Sequence, residues 1–278
     1  MTRTTQPFFI VSSGRSGTAM LHKALSASGD TEMHHEYMVQ IVQPLAVRRY
    51  LDLCDASQTI RALSEVYSAA IYYSPAANWG DSSNKLSWLI PELAALLPEA
   101  KFVHLVRDGR KVAGSYFHKL ADECYDDHST AVLQAFVDNR ARNPAPPPEK
   151  KYWWPVPRKG DPRAADFRTY NQFERIAWHW MEINRTITHA LGALPGWRHH
   201  FVRLEELRER PSALKGLSDF LNLSYRDEQY AMFARPHNVN RPRDTPLTGE
   251  QRAQFDAIAG AMMGELGYHA REAYAVNY

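Results

Sequence analysis

Residues 12–19 read Ser-Ser-Gly-Arg-Ser-Gly-Thr-Ala, directly after an apolar run. Gly14 and Gly17 let backbone amides face a ligand with no side chain in the way. Ser16 and Thr18 add hydroxyls, and a helix opening at Thr18 would add free N–H groups and its positive end. The chemistry this suits is phosphate binding. An ATP-type loop needs Lys beside Ser/Thr, to reach the outer phosphates and hold Mg²⁺. Here Gly17 is followed directly by Thr18, and the cation is Arg15. A guanidinium there can grip a bridging or terminal oxygen through two bonds. One 5′-phosphate carrying a further group fits such a loop better than a metal-bound triphosphate.

A second anion site is written at 107–119, R-D-G-R-K-V-A-G-S-Y-F-H-K. Arg107 ends an apolar run. On a helix starting near residue 109, Ser115 and Lys119 lie one turn apart on one face. An arginine, a hydroxyl and a lysine converging on one point make a dianion site. Arg110 and Lys111 read instead as a solvated basic face. If the two apolar runs are neighbouring strands, the pair of sites suits a nucleotide phosphorylated at both its 5′ and 3′ positions.

These motifs resemble those of the sulfotransferases. G-R-S-G-T-A-M-L at 14–21 is similar to the family's 5′-phosphosulfate loop, and R-D-G-R-K-V-A-G-S at 107–115 to its 3′-phosphate motif, with the same Arg-to-Ser interval. N-K-L-S-W at 84–88 and V-R-L-E-E-L at 202–207, with F-L-N-L at 220–223, resemble further landmarks. The resemblance implies a P-loop-like α/β fold and 3′-phosphoadenosine 5′-phosphosulfate (PAPS) as sulfuryl donor, with no catalytic metal. It implies that Gly14, Arg15, Ser16, Gly17, Thr18 and Ala19 hold the 5′ end. Arg107 and Ser115 take the 3′-phosphate, and Lys119 fits a basic position of the tyrosylprotein branch. Arg15 and Lys85 would meet charge on the bridging oxygen.

The motif style is closest to a bacterial, soluble form of the branch of tyrosylprotein and carbohydrate enzymes that uses a glutamate base just after the first helix. Glu36, in H-H-E-Y at 34–37, fits that position, and a buried carboxylate can take the acceptor proton. His34 and His35 are the alternatives, His35 also as an acceptor contact. Leu204 stands where the family often has a tyrosine beside the adenosine. R-K-G at 158–160 comes too early to be the family's C-terminal 3′-phosphate element, for which Arg241 or Arg243 could substitute. Competing readings are a kinase with a degenerate phosphate loop, which would need Mg²⁺, and a non-catalytic nucleotide-binding protein of the same fold.

The acceptor is expected to be a hydroxyl of a carbohydrate or other small molecule. Tyr152, Trp153 and Trp154 could stack on its ring. They lie in a segment, 140–163, with seven of the chain's 17 prolines and seven basic residues. Proline removes backbone donors and fixes φ, so this is a loop, and it could order as a lid.

The elements that must position these residues follow from periodicity. Strands are expected at 8–13, 31–36, 101–106 and 201–204, and helices at 18–28, 38–53, 56–72, 86–97, 109–123, 128–142, 172–191, 211–222, 225–233 and from Thr248 to Leu266. Strand–loop–helix units favour a parallel sheet covered by helices. The 278 residues, 44% hydrophobic and 23% charged, are expected to form a single α/β domain over 1–278, with a proline- and aromatic-rich insertion at about 143–171. A net charge of +2 excludes a generally basic nucleic-acid binder. Two cysteines, no export signal and no spanning segment lead us to expect a cytoplasmic protein without membrane insertion.

Overall fold

The computed structural model describes residues 5–140, 142, 146–147, 149–152, 154–234 and 246–268. Five parallel strands form one sheet in the order β2-β3-β1-β4-β5. They are β1 (Gln6–Val11), β2 (Thr31–His35), β3 (Asn78–Ser82), β4 (Lys101–Val106) and β5 (His199–Arg203). The helices are α1 (Thr18–Ser26), α2 (Val39–Tyr50), α3 (Ala56–Tyr72), α4 (Ile90–Leu96), α5 (Gly109–Lys119), α6 (Asp127–Asp138), α7 (Ala164–Thr169), α8 (Gln172–Gly192), α9 (Leu204–Glu209), α10 (Pro211–Leu221), α11 (Asp227–Ala234) and α12 (Gly249–Glu265). This is the expected α/β architecture. Among the described residues, no helix is long and apolar enough to cross a membrane.

Both faces of the sheet are covered, so β1 is apolar on both sides. Phe8 and Ile10 join Leu21, Leu25, Val103 and Leu105 on one face. Phe9 and Val11 join Leu63, Tyr67, Trp79 and Phe102 on the other. The helix α8 is held by an Asn171/Glu174 capping box and buries Phe173, Ile176, Ala177, Trp180, Ile183 and Ile187, the residues whose spacing marks it in the sequence.

The strand β3 is not visible in the sequence. Asn-Trp-Gly-Asp-Ser has neither alternation nor β-formers beyond Trp79, yet all five residues are buried. Its neighbours explain its composition. A Cβ on Gly80 would lie 2.3 Å from the Phe8 ring and 2.6 Å from the Met33 sulfur, so only glycine lets β1 and β2 flank it. Two further departures matter for the site. The expected helix at 86–97 divides into a 3₁₀ turn, Asn84–Trp88, and α4, which starts at Ile90 with Pro91 in its first turn. The short helices α7 and α9 fall where the sequence shows only loop and strand end.

Candidate active site

Every strand of a parallel sheet points its C-terminal end the same way, and ligands gather there. β1 pairs directly with β4, so the loops after them are neighbours, as the two anion motifs require. The loop after β1 turns through three positive-φ residues, Gly14 (82°), Arg15 (53°) and Gly17 (91°). It is tied down from several sides. The Gly14 N–H donates to Ser12 Oγ (3.1 Å), and Ser16 Oγ donates to Gly14 O (3.0 Å). Ser13 O accepts from Tyr116 Oη at 3.1 Å and from His179 Nε2 at 3.2 Å. Tyr116 comes from α5 and His179 from α8, so two helices fix one carbonyl. The loop then opens α1 at Gly17, with no side chain capping the first-turn amides. Those N–H groups of Thr18 and Ala19 are the donors that an anion would use.

Gly14 has no room for a side chain: a Cβ would sit 2.1 Å from Tyr116 Oη. Gly14→Ala combines that clash with an unfavourable φ, and should cost about 2 kcal/mol or more of stability. Urea unfolding checks this; an unchanged midpoint would contradict it. At Gly17 the neighbour is Leu204, whose Cδ1 would lie 2.6 Å from a Cβ. Leu204 is buried and packs on the loop, so it supplies no hydroxyl there.

His179 ties this loop to the core. Its Nε2 faces the Ser13 carbonyl, and Nδ1 lies 3.1 Å from Tyr125 Oη. Burial pushes its pKa down to about 3, with Lys85 adding to the effect over the opposing Ser13 bond. The folded pKa is thus below the ordinary 6.5. The stabilisation is present above 6.5 and is lost as pH falls toward 3, because the unfolded chain takes up the proton first. In urea titrations, the stability of the native chain relative to His179→Gln should therefore fall by about 1.4 kcal/mol per pH unit below the ordinary histidine range. A pH-independent difference would contradict it.

The second site is built on β4 and α5. Arg107 directly follows β4, and Asp108 caps α5 by accepting from the Arg110 N–H at 2.9 Å. Arg107 Nη1 donates to Arg15 O at 3.0 Å, and Arg15 Nε donates to Ser115 Oγ at 3.0 Å. Partial burial and then the charges of Arg15 and Arg107 lower the Lys119 pKa, which places its ammonium in the same field. Arg15, Arg107, Ser115 and Lys119 are therefore brought together. The guanidinium of Arg15 lies on the Ser115 side of the loop, not only at the 5′ end that the motif resemblance implies. Arg107 Nε is buried without a hydrogen-bond partner. Three cations, a hydroxyl and an unused buried donor are what a dianion would satisfy.

A third group forms beyond β2 and β3. Glu36 follows β2 in a left-handed turn (φ 56°), its N–H bonded to Ser82 O at 3.1 Å. Lys85 sits in the 3₁₀ turn after β3. Burial lowers its pKa, Glu36 opposes that shift, and Lys150 reinforces it. Its Nζ lies 5.6 Å from the centre of the Trp154 ring. The sequence reading misses Asp81, the fully buried carboxylate of β3. It also misses the Tyr116 and His179 clamp. Nothing in their types or spacing distinguishes them from core residues.

The remaining candidates divide. His34 is paired with Glu32 (2.9 Å), and His35 Nδ1 is held by Ser82 O (2.8 Å), leaving the ring exposed beside Glu36. Trp154 is 6% exposed and packs on Tyr116, Tyr125 and His179, so its ring backs Lys85 instead of offering a free face to an acceptor. Tyr152 is half-buried under Lys151, whose Nζ is 5.1 Å from its ring. Trp153, Arg241 and Arg243 lie outside the described residues. Among the described residues, no cluster of three or more His, Cys, Asp or Glu side chains could hold a metal ion.

Sequence comparison with curated proteins finds no match. The sulfotransferase domain from the curacin biosynthetic pathway superposes with a TM-score of 0.53 at 14% identity, over 94% of this chain and 98% of that one. Sulfotransferase STF9 from Mycobacterium avium gives 0.50 at 11% identity, over 94% of this chain and 77% of its own. At such identities the likeness is one of fold. The profile described as "Sulfotransferase family" matches residues 7–150, just over half of the chain, and takes in both anion loops, Glu36 and Lys85. With its own sheet carrying those loops side by side, this chain belongs to the sulfotransferase family and is a sulfotransferase enzyme.

Proposed function

We propose that the enzyme transfers a sulfuryl group from PAPS to a hydroxyl of a carbohydrate or other small molecule, with Glu36 as general base and no metal. The observation that carries this reading is the joining of the two anion loops. Arg107 bonds the Arg15 carbonyl and Arg15 bonds Ser115, both at 3.0 Å, so one ligand can span them. The donor supplies an activated sulfuryl group and a phosphate leaving group.

The chain's residues supply the rest. The loop amides at 15–18 and the start of α1 hold the 5′-phosphate. Arg107, Ser115 and Lys119 hold the 3′-phosphate. Glu36 takes the acceptor proton as the acceptor oxygen bonds to sulfur. Lys85 and Arg15 stabilise the electron pair that stays with the departing 5′-phosphate oxygen. Lys85 suits this task because its partly desolvated ammonium interacts more strongly with charge developing beside it than it would in water. His35 and Tyr152 are read as acceptor contacts. The segment at about 143–171 is read as an insertion within a single sulfotransferase-like unit spanning 1–278. The two free cysteines, Cys54 and Cys124, suit a reducing cytoplasm.

Titration calorimetry with the product nucleotide 3′-phosphoadenosine 5′-phosphate (PAP), against ADP with Mg²⁺, tests the donor class. PAP should bind without added metal and ADP–Mg²⁺ should bind at least about tenfold more weakly. Preference for ADP–Mg²⁺ would favour a kinase. A panel of hydroxyl compounds with labelled PAPS then identifies the acceptor.

A further inference from the structure

Two of the three residues at 36–38, Glu36 (φ 56°) and Met38 (φ 48°), adopt the left-handed conformation without being glycine. That conformation is costly for an L side chain, and two in three residues persist only where the surroundings over-determine them. The bonds around the turn show what does so. The Glu36 N–H reaches Ser82 O and the Val39 N–H reaches Glu36 O. Between them, the Tyr37 N–H donates to Asp81 Oδ1 at 3.2 Å. It is the only one of the three bonds that a side chain accepts.

Asp81 is wholly buried in β3, and its second oxygen accepts from Tyr67 Oη of α3 at 3.1 Å. Tyr67 is itself immobilised against Phe9, Trp79 and Tyr37. The carboxyl thus bridges the covered face of the sheet to the turn that carries Glu36. A buried carboxyl whose partners, the Tyr37 and Glu36 amides and the Tyr67 hydroxyl, are all neutral is poor stabilisation, since a packed apolar side chain would serve the core as well or better. Burial pushes its pKa up to about 7, against the bonds from Tyr37 and Tyr67, and the Glu36 charge adds to the rise. The neutral and the ionised carboxyl can both accept the Tyr37 N–H, so what the turn needs from Asp81 is an acceptor.

We propose that Asp81 is a positioning residue for sulfuryl transfer: by holding the Tyr37 amide it locks the left-handed turn that aims Glu36 at the acceptor hydroxyl. This rests on Glu36 being the base. Asp81→Asn keeps an oxygen for the Tyr37 N–H. Asp81→Leu fills the space without one, and Asp81→Ala removes both.

Two readouts separate the proposal from the reading beneath it. The first is amide hydrogen exchange at Tyr37, which needs no activity. Exchange should be fast in Asp81→Leu and Asp81→Ala and slow in Asp81→Asn. The second is transfer from PAPS to the best acceptor of the panel. Misaiming the base should lower kcat by roughly thirtyfold or more in the Leu and Ala variants, with PAP affinity within about twofold and Asn restoring most of the rate. In a Glu36→Gln background, Asp81→Leu should cost little more, because the two act as a unit. Unchanged Tyr37 exchange in Asp81→Leu overturns the proposal. So does a full additional loss in the Glu36→Gln background, or an Asn variant as impaired as Leu. If Glu36→Gln is itself fully active, the base assignment fails, whatever the exchange data show about the turn.

Discussion

Glu36→Gln is expected to lower turnover with PAPS by about a hundredfold to ten-thousandfold, the range for losing a positioned general base. PAP should bind almost as tightly as before. Glutamine is isosteric and can stay in the same turn, whose amide bond to Ser82 O is a backbone contact that the substitution leaves alone. It cannot take a proton. The substitution also removes the carboxylate whose field raises the pKa of Lys85, so the lysine charge becomes easier to lose. That second effect acts in the same direction, because a neutral amine would no longer stabilise the leaving oxygen. Single-turnover kinetics with PAPS and calorimetry with PAP separate the two quantities. Full turnover in the variant would remove Glu36 from the mechanism and leave His35, exposed beside it, as the next group to test.

Arg107→Ala should act on affinity instead. The guanidinium holds the Arg15 carbonyl and carries a buried Nε with no partner. Against a 3′-phosphate it would make charge-assisted bonds, and losing one costs about 1.5–3 kcal/mol, or roughly tenfold to two-hundredfold in Kd. The loss should be selective. Adenosine 5′-phosphate, which lacks the 3′-phosphate, should bind the variant and the native enzyme with similar affinity, while PAP loses its advantage in the variant. Equal PAP affinity in both proteins would contradict the assignment of this strand end.

How much of this is legible in the sequence depends on whether a residue's role is local. The loop at 12–19 announces itself because an apolar run, two glycines and a helix start are contiguous. Arg107, Ser115 and Lys119 are equally local, since helix periodicity alone puts the last two on one face. β3 is not legible. Each of its residues answers to a partner elsewhere: Gly80 to Phe8 and Met33, Asp81 to Tyr37 and Tyr67. Without that strand, the sheet order and the placement of Lys85 within the field of Glu36 cannot be reached from periodicity. The resemblance to the family motifs points to both residues, but not to the left-handed turn or the 3₁₀ turn that carry them. Trp154 shows the opposite failure. A tryptophan among prolines and lysines looks like a solvent-facing platform, and only packing against Tyr116, Tyr125 and His179 reveals that it faces inward.

Arg15 is the residue on which sequence and structure divide most informatively. Its motif position belongs to the 5′ loop, yet its Nε donates to Ser115 on the other side. Being anchored in one loop and reaching the other, it joins the two anion motifs through a single side chain. The crystal structure of the enzyme with PAP tests that arrangement most directly. The 5′-phosphate is expected on the backbone amides at 15–18 and the 3′-phosphate within hydrogen-bonding distance of Arg107 and Ser115, in one continuous ligand. PAP seated elsewhere, or touching only one of the two loops, would contradict it.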